Sequence, residues 1–169
     1  EKISERHLQL QAIVYVRQSS PTQVINHQES YRVQRKLEQV AFELGWPKSR
    51  ILLVEGDLGC SAAKVGQRKE FDRVVQLVQR REVGIVFALD ASRLARNDYD
   101  WCCLMHWCSL FGTLIGDQAH IYDPAVPQDR LILGLQGVLA MHELHAIRER
   151  MRSGANEKAS RGELHQGPM

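Results

Sequence analysis

Ser19 follows an apolar run in the stretch YVRQSSPTQ (15–23), with Arg17 two residues before it. A serine hydroxyl is a weak nucleophile until a base or an electrostatic field activates it. The chain has no G-x-S-x-G elbow, and cleavage of an ester or amide would call for a histidine base. The candidates nearest in sequence are arginines instead. A guanidinium is always protonated, and its forked donors match the oxygens of a phosphate. A serine among arginines therefore suits attack on a phosphodiester. SRLAR (92–96) adds Arg93 and Arg96, spaced so that one helical turn can face both the same way. A helix N-terminus prefers acids, so two cations there fit best with an anion between them. Arg68, in the polar loop DLGCSAAKVGQRK (57–69), is a further positive group. Each piece also has a plain reading when taken singly: Ser-Ser-Pro as a turn, SRLAR as a solvated helix start, and Arg68 as surface charge.

These residues sit where strands are expected to end. QAIVYVR (11–17), ILLVEG (51–56) and VGIVFAL (83–89) are continuous apolar runs of strand length. Between the first two, Leu37, Val40, Ala41 and Leu44 keep a helical spacing. Asn26 with Glu29 resembles a capping box ahead of that helix, and Gly45 can end it. EFDRVVQLVQRR (70–81) places Phe71, Val74, Val75 and Val78 on one helical face. Asp98 can cap a further helix, roughly 99–111, that carries Trp101, Leu104, Met105 and Cys108, with Gly112 after it. TLIG (113–116) and HIYD (120–123) are short and strand-like. Apolar strands alternating with helices argue for an α/β fold, a mainly parallel sheet flanked by helices. Functional loops in such sheets lie at the carboxyl ends of strands. Arg17 with Ser19, the 57–68 loop and the 90–96 loop would then meet on one edge.

The last third reads differently. After Pro124 and Pro127, residues 128–164 contain no proline, and Leu133, Gly137, Ala140, Leu144, Ile147 and Met151 keep a helical spacing. Roughly 35 residues at 1.5 Å each would extend ~50 Å, more than the width of a small domain. Such a helix is expected to leave the body and pack on a partner subunit, on DNA, or on both. Its interior glycines each weaken it by about 1 kcal/mol, which predicts a bend or a close helix contact. The expected organisation is a catalytic α/β domain over 1–125 and a long helix over 126–164 that serves oligomerisation and DNA contact.

Composition bounds the partners. The 169 residues are 44% hydrophobic with a net charge of +2, enough for one domain with a real core and too balanced for a nucleic-acid arm. Any DNA contact must come from local arginine placement or from a segment beyond this chain. No apolar run approaches the ~18 residues of a membrane span, and EKISERHLQLQ (1–11) is too polar for a signal peptide. Cys60, Cys102, Cys103 and Cys108 have poor spacing for zinc or a disulfide framework, and are expected reduced and buried in a cytoplasmic protein. His142-Glu143-Leu144-His145 falls one residue short of H-E-x-x-H and reads as solvated helix. Trp101, Trp107 and Met105 read as core, and Asp57 as a turn residue.

The combined pattern resembles the catalytic domain of the serine recombinases, the resolvase/invertase group that includes the large serine integrases. Tyr15, Arg17, Ser19 and Gln23 match a Y-x-R-x-S pattern followed by Gln. Gly59, Ser61 and Arg68 match a G-x-S…R loop, and Arg93, Leu94 and Arg96 match R-L-x-R. Glu143, Arg150, Gly154 and Lys158 match the E…R and G…K pattern of a long helix. The order holds across roughly residues 11–164. One departure stands out: Ser92 occupies the place where many small resolvases carry Asp before R-L-x-R, and Asp90 lies two residues earlier. No acid–base role is therefore assigned to Asp90.

The resemblance implies that Ser19 attacks a DNA phosphodiester to form a 5′-phosphoserine bond, with Arg17, Arg68, Arg93 and Arg96 clamping the phosphate and Gln23 holding the loop. It implies strand exchange in a tetramer built from dimers, with no metal or other cofactor. It further implies DNA and self as partners, with Arg148, Arg150, Arg152 and Lys158 on the helix for DNA or oligomer contact. A separate C-terminal DNA-binding region would lie beyond this chain. Two other readings stay open on the residues: an anion-binding α/β module without chemistry, and a recombinase-derived protein that binds DNA but no longer cuts it.

Overall fold

A computed structural model of the chain describes residues 2–17, 27–56, 69–88 and 98–161. A short helix, α1 (Glu5–Gln9), precedes the sheet. Strands form where the apolar runs are continuous: β1 (Gln11–Arg17), β2 (Ile51–Gly56) and β3 (Val83–Phe87). With β4 (Leu114–Gly116) and β5 (Ile121–Tyr122) they build one five-stranded sheet of order β2-β1-β3-β4-β5. The first four strands are parallel, and β5 runs antiparallel to β4, with Ile115 opposite Tyr122. Helices α2 (His27–Glu43), α3 (Lys69–Gln79) and α4 (Asp98–Phe111) lie along the crossovers.

Alternation along β1 explains the layering. Ala12, Val14 and Val16 point to one face, Ile13 and Tyr15 to the other, and all are buried. The first set packs with Leu37 and Ala41 of α2 and with Trp46. The second packs with Phe71, Val74 and Val78 of α3 and Trp101, Leu104 and Cys108 of α4. Gly45, at φ 108°, turns the chain out of α2 as the sequence predicts, because only glycine holds that conformation without strain. The turn delivers Trp46 edge-on to Phe87, and its indole N–H donates to the Leu10 carbonyl at 3.2 Å.

In the polar segment before β1, the Ser4 amide donates to His7 Nδ1 at 3.0 Å across the first turn of α1. That leaves His7 Nε2 to donate to the Gly112 carbonyl at 3.0 Å. Two expectations are corrected. The cysteines are not uniformly buried: Cys108 is buried, Cys103 partly so, and Cys102 exposed. Successive helical residues turn by about 100°, so these neighbours cannot share the face of Leu104 and Cys108. Trp107 sits at the core margin rather than inside it, stacked on Phe111 at 5.7 Å, with the Arg81 guanidinium 5.1 Å from the Phe111 ring.

The long helix is continuous. α5 (Pro127–Ser160) spans 34 residues, with Pro127 inside its first turn, where a missing N–H costs nothing. Asp129, Leu133 and Gly137 form its buried stripe, and none of the described side chains beyond Gly137 is buried. Gly137 serves the close contact anticipated from the sequence. A Cβ there would lie 2.4 Å from Trp101 Nε1, and that indole N–H donates to the Leu133 carbonyl at 3.1 Å. At Gly134 a Cβ would meet nothing within 4 Å.

The same substitution should thus act in opposite directions one turn apart. Gly134→Ala should stabilise by about 0.5–1 kcal/mol through helix propensity. Gly137→Ala should destabilise by about 1–3 kcal/mol, because overpacking against Trp101 outweighs that gain. Denaturant melts of the two variants measure both signs. A second check concerns the thiols. Burial pushes the Cys108 thiol well above its ordinary pKa, so it stays protonated at neutral pH. A thiol reagent should label Cys102 in the native protein and Cys108 only on unfolding, as read by peptide mass spectrometry.

Candidate active site

The register fixes where the motif-bearing segments leave the sheet. β1 ends at Arg17, paired with Gly56 at the end of β2. β3 ends at Phe87, level with Val14, and Ala88 continues the pairing by donating its amide to the Gly116 carbonyl at 3.0 Å. These three strands are adjacent and parallel. At ~4.8 Å between neighbours, their carboxyl ends fall within roughly 10 Å across the sheet. The strand order reverses around β1, so the ends of β1 and β3 flank the topological switch point, where open α/β sheets bind ligands.

Tyr15, the first residue of the Y-x-R-x-S pattern, is buried on the face covered by α3 and α4. It anchors the strand from which Arg17 and Ser19 follow. Arg17 is the last residue of β1. Ser19 and Gln23 (within 18–26), Gly59, Ser61 and Arg68 (within 57–68), and Asp90, Ser92, Arg93, Leu94 and Arg96 (within 89–97) lie outside the described residues, as do Asn26, Asp57 and Cys60. Their positions along the chain are nonetheless bounded. Each segment starts at the carboxyl edge of one of three neighbouring strands and returns at the first residue of a helix: His27, Lys69 or Asp98.

The predicted helix residues are all on α5. Arg150, Arg152 and Lys158 are exposed, and Arg148 lies on the same helix. Arg150 and Arg152 are separated by about 200° around the axis, so the cations ring the shaft rather than form one face. Arg150 Nε donates back to the Ala146 carbonyl at 3.3 Å. His142, Glu143 and His145 are exposed, and among the described residues no group of three or more His, Cys, Asp or Glu is placed to hold a metal ion. No helix among them is long and apolar enough to cross a membrane.

One feature was missed by sequence reasoning. A groove of about 520 Å³ runs between α4 and α5, lined mainly by apolar side chains including Trp101, Met105, Leu131, Leu135 and Val138. Leu131, Leu135 and Val138 are 65%, 55% and 65% exposed. Their i, i+4, i+7 spacing was the available signal. The stripe that reads most clearly in sequence, through Leu133 and Gly137, is the one turned toward the body.

Comparison with known proteins agrees with the fold. The profile described as "Resolvase, N terminal domain" matches residues 12–164. The "Uncharacterized protein y4bA/y4pH" of Sinorhizobium fredii is 43% identical over 163 residues, covering 96% of this chain and 24% of that protein. The chain thus spans about a quarter of the length of that curated relative. The crystal structure of a resolvase family site-specific recombinase from Streptococcus pneumoniae superposes with a TM-score of 0.55 at 21% identity, covering 89% of this chain and 99% of the other. The N-terminal catalytic domain of TP901-1 integrase gives 0.53 at 17% identity, covering 80% and 98%. The profile covers most of the chain, and the chain belongs to the resolvase N-terminal domain family.

Proposed function

We propose that this chain is the catalytic domain of a site-specific DNA recombinase that cuts and rejoins DNA through a 5′-phosphoserine link. The observation that carries the reading is that three adjacent parallel strands, each followed in sequence by a motif segment, end on one edge of the sheet. Family membership and the spacing of Tyr15, Arg17, Ser19, Arg93 and Arg96 support it.

In this mechanism Ser19 Oγ attacks the scissile phosphorus. The Oγ–P bond forms, the P–O3′ bond breaks, and the serine proton is made good on the departing 3′-oxygen. The phosphoserine ester conserves the energy of the phosphodiester, so rejoining is the reverse attack by a 3′-hydroxyl, and the step requires neither metal nor nucleotide. Arg17, Arg68, Arg93 and Arg96 stabilise the extra negative charge of the transition state, and Gln23 holds the loop that carries Ser19. Residues 1–125 form the catalytic unit in this reading. Residues 126–164 form the assembly and DNA-contacting helix, with Arg148, Arg150, Arg152 and Lys158 along it. Sequence recognition belongs to a region outside this chain, and the protein acts in the cytoplasm.

Self-association would use the groove between α4 and α5, where a second copy's α5 can cover Leu131, Leu135 and Val138. Burying one such side chain is worth about 1.5–3 kcal/mol. Leu135→Asp should therefore weaken self-association by at least about tenfold, as measured by sedimentation of the wild-type chain and the variant.

The chemical test is a covalent adduct between protein and target DNA, trapped by denaturation. Ser19→Ala should abolish the adduct while leaving DNA binding intact. Arg93→Ala and Arg96→Ala should each slow its formation by about 10²–10³-fold. An adduct that survives Ser19→Ala assigns the wrong nucleophile. Binding without any adduct from the wild-type protein, supplied with its full DNA-binding region, would favour the module that binds without chemistry.

A further inference from the structure

The residues before β1 precede the stretch matched by the family profile, which begins at residue 12, yet they are tied across the whole lower edge of the sheet. On the β2 side, Arg50 Nη1 donates to the Leu8 carbonyl at 2.9 Å, and the Trp46 indole donates to Leu10. At β3, Gly84 admits the His7 carbonyl so closely that a Cβ would lie 2.3 Å from that oxygen. At the end of α4, His7 Nε2 donates to Gly112 and Arg6 Nη2 donates to the Phe111 carbonyl at 3.3 Å. On the β5 side, Lys2 Nζ donates to the Ile121 carbonyl at 2.8 Å and pairs with Asp129 Oδ2 at 2.6 Å.

Asp129 is the root of α5. It lies in the first turn and is 7% exposed, and the same Oδ2 accepts the Asp123 amide at 2.7 Å. One turn on, Trp101 donates to the Leu133 carbonyl, and a turn further its indole meets Gly137. These stations lie along one stripe, and the described side chains beyond them are not buried. The remaining residues of α5 reach ~35 Å past Gly137 at 1.5 Å each. A tilt of about 10° at the root, ~46 Å from the far end, therefore moves that end by roughly 8 Å.

We infer that residues 2–10 act as a clasp, and that Lys2 and Asp129 are positioning residues that set the direction in which α5 leaves the body. The consequence for subunit assembly rests on reading α5 as the assembly helix; the clasp itself does not. Surface ion pairs contribute little. This one differs because the carboxylate is buried and its oxygen also accepts a backbone amide, so removal of Lys2 leaves a buried charge short of a partner.

The test is amide hydrogen exchange on the full chain and its Lys2→Ala, Lys2→Arg and Asp129→Asn variants. Lys2→Ala and Asp129→Asn should raise exchange across 127–137 at least tenfold while residues 13–15 and 85–87 stay at wild-type rates, and Lys2→Arg should restore protection. Wild-type protection of 127–137 in Lys2→Ala would overturn the clasp, as would an equal rise in β1 and β3, which marks general destabilisation. Sedimentation of the same proteins tests positioning. Self-association should weaken in Lys2→Ala and recover in Lys2→Arg, and an unchanged association constant despite loosened exchange would overturn the positioning role. If the wild-type protein, supplied with its full DNA-binding region, gives no DNA adduct but the exchange pattern appears as expected, the recombinase reading fails and the clasp stands.

Discussion

Burial of β1 on both faces is the constraint on which the other elements depend. A strand with no solvent face needs partners on both edges and helices on both sides, and only a parallel sheet with crossovers supplies them here. Ala12, Val14 and Val16 fix α2 against one face, and Ile13 and Tyr15 fix α3 and α4 against the other. Because β2 and β3 flank the same strand in the same direction, their carboxyl ends emerge on the same edge of the sheet as Arg17. A polar or bulky change at Val14 would disturb not one contact but the common edge from which all the motif segments start.

The second constraint is mechanical. α5 is longer than the body can cover, so its direction is decided by few contacts near its base. The indole of Trp101 makes two of them at once, a hydrogen bond to a helix carbonyl and close packing on a residue without a side chain. Such a contact tolerates little sliding, because any larger residue at 137 would push the helices apart. The exposed apolar positions just beyond it remain available to whatever covers that groove.

Much of this was legible in the sequence, for definite reasons. Continuous apolar runs of strand length, bounded by polar loop residues, marked β1, β2 and β3. Phe71, Val74 and Val78, and Trp101, Leu104 and Cys108, fell on the faces their spacing assigned. The helix α1 was not legible, because five residues without an apolar face leave no periodic signal. It is held by partners about a hundred residues away, at Phe111 and Gly112. The strand at HIYD was read, but two residues of strand carry no signal of the antiparallel direction that β5 takes. On α5, the stripe through Leu133 and Gly137 was readable and is the one turned toward the body, whereas the exposed apolar stripe through Leu131, Leu135 and Val138 did not stand out beside it. That β1, β2 and β3 end just ahead of the motif segments was readable, whereas Ser19, Arg68, Arg93 and Arg96 themselves lie outside the described residues.

On the proposed reading, the modest net charge of +2 fits the chemistry rather than opposing it. Affinity for DNA in its ground state grows with the number of phosphates neutralised. Rate grows only with interactions that strengthen in the transition state. A broad positive face would hold the intact duplex and the transition state about equally and so accelerate nothing. A few arginines converging on one phosphorus favour the more negative transition state. Grip and sequence choice can then reside elsewhere, which accords with a chain that spans about a quarter of its curated relative's length. The work left to this domain is geometric: to hold one edge of a sheet against one phosphate, and to keep α5 aimed so that a second copy can do the same.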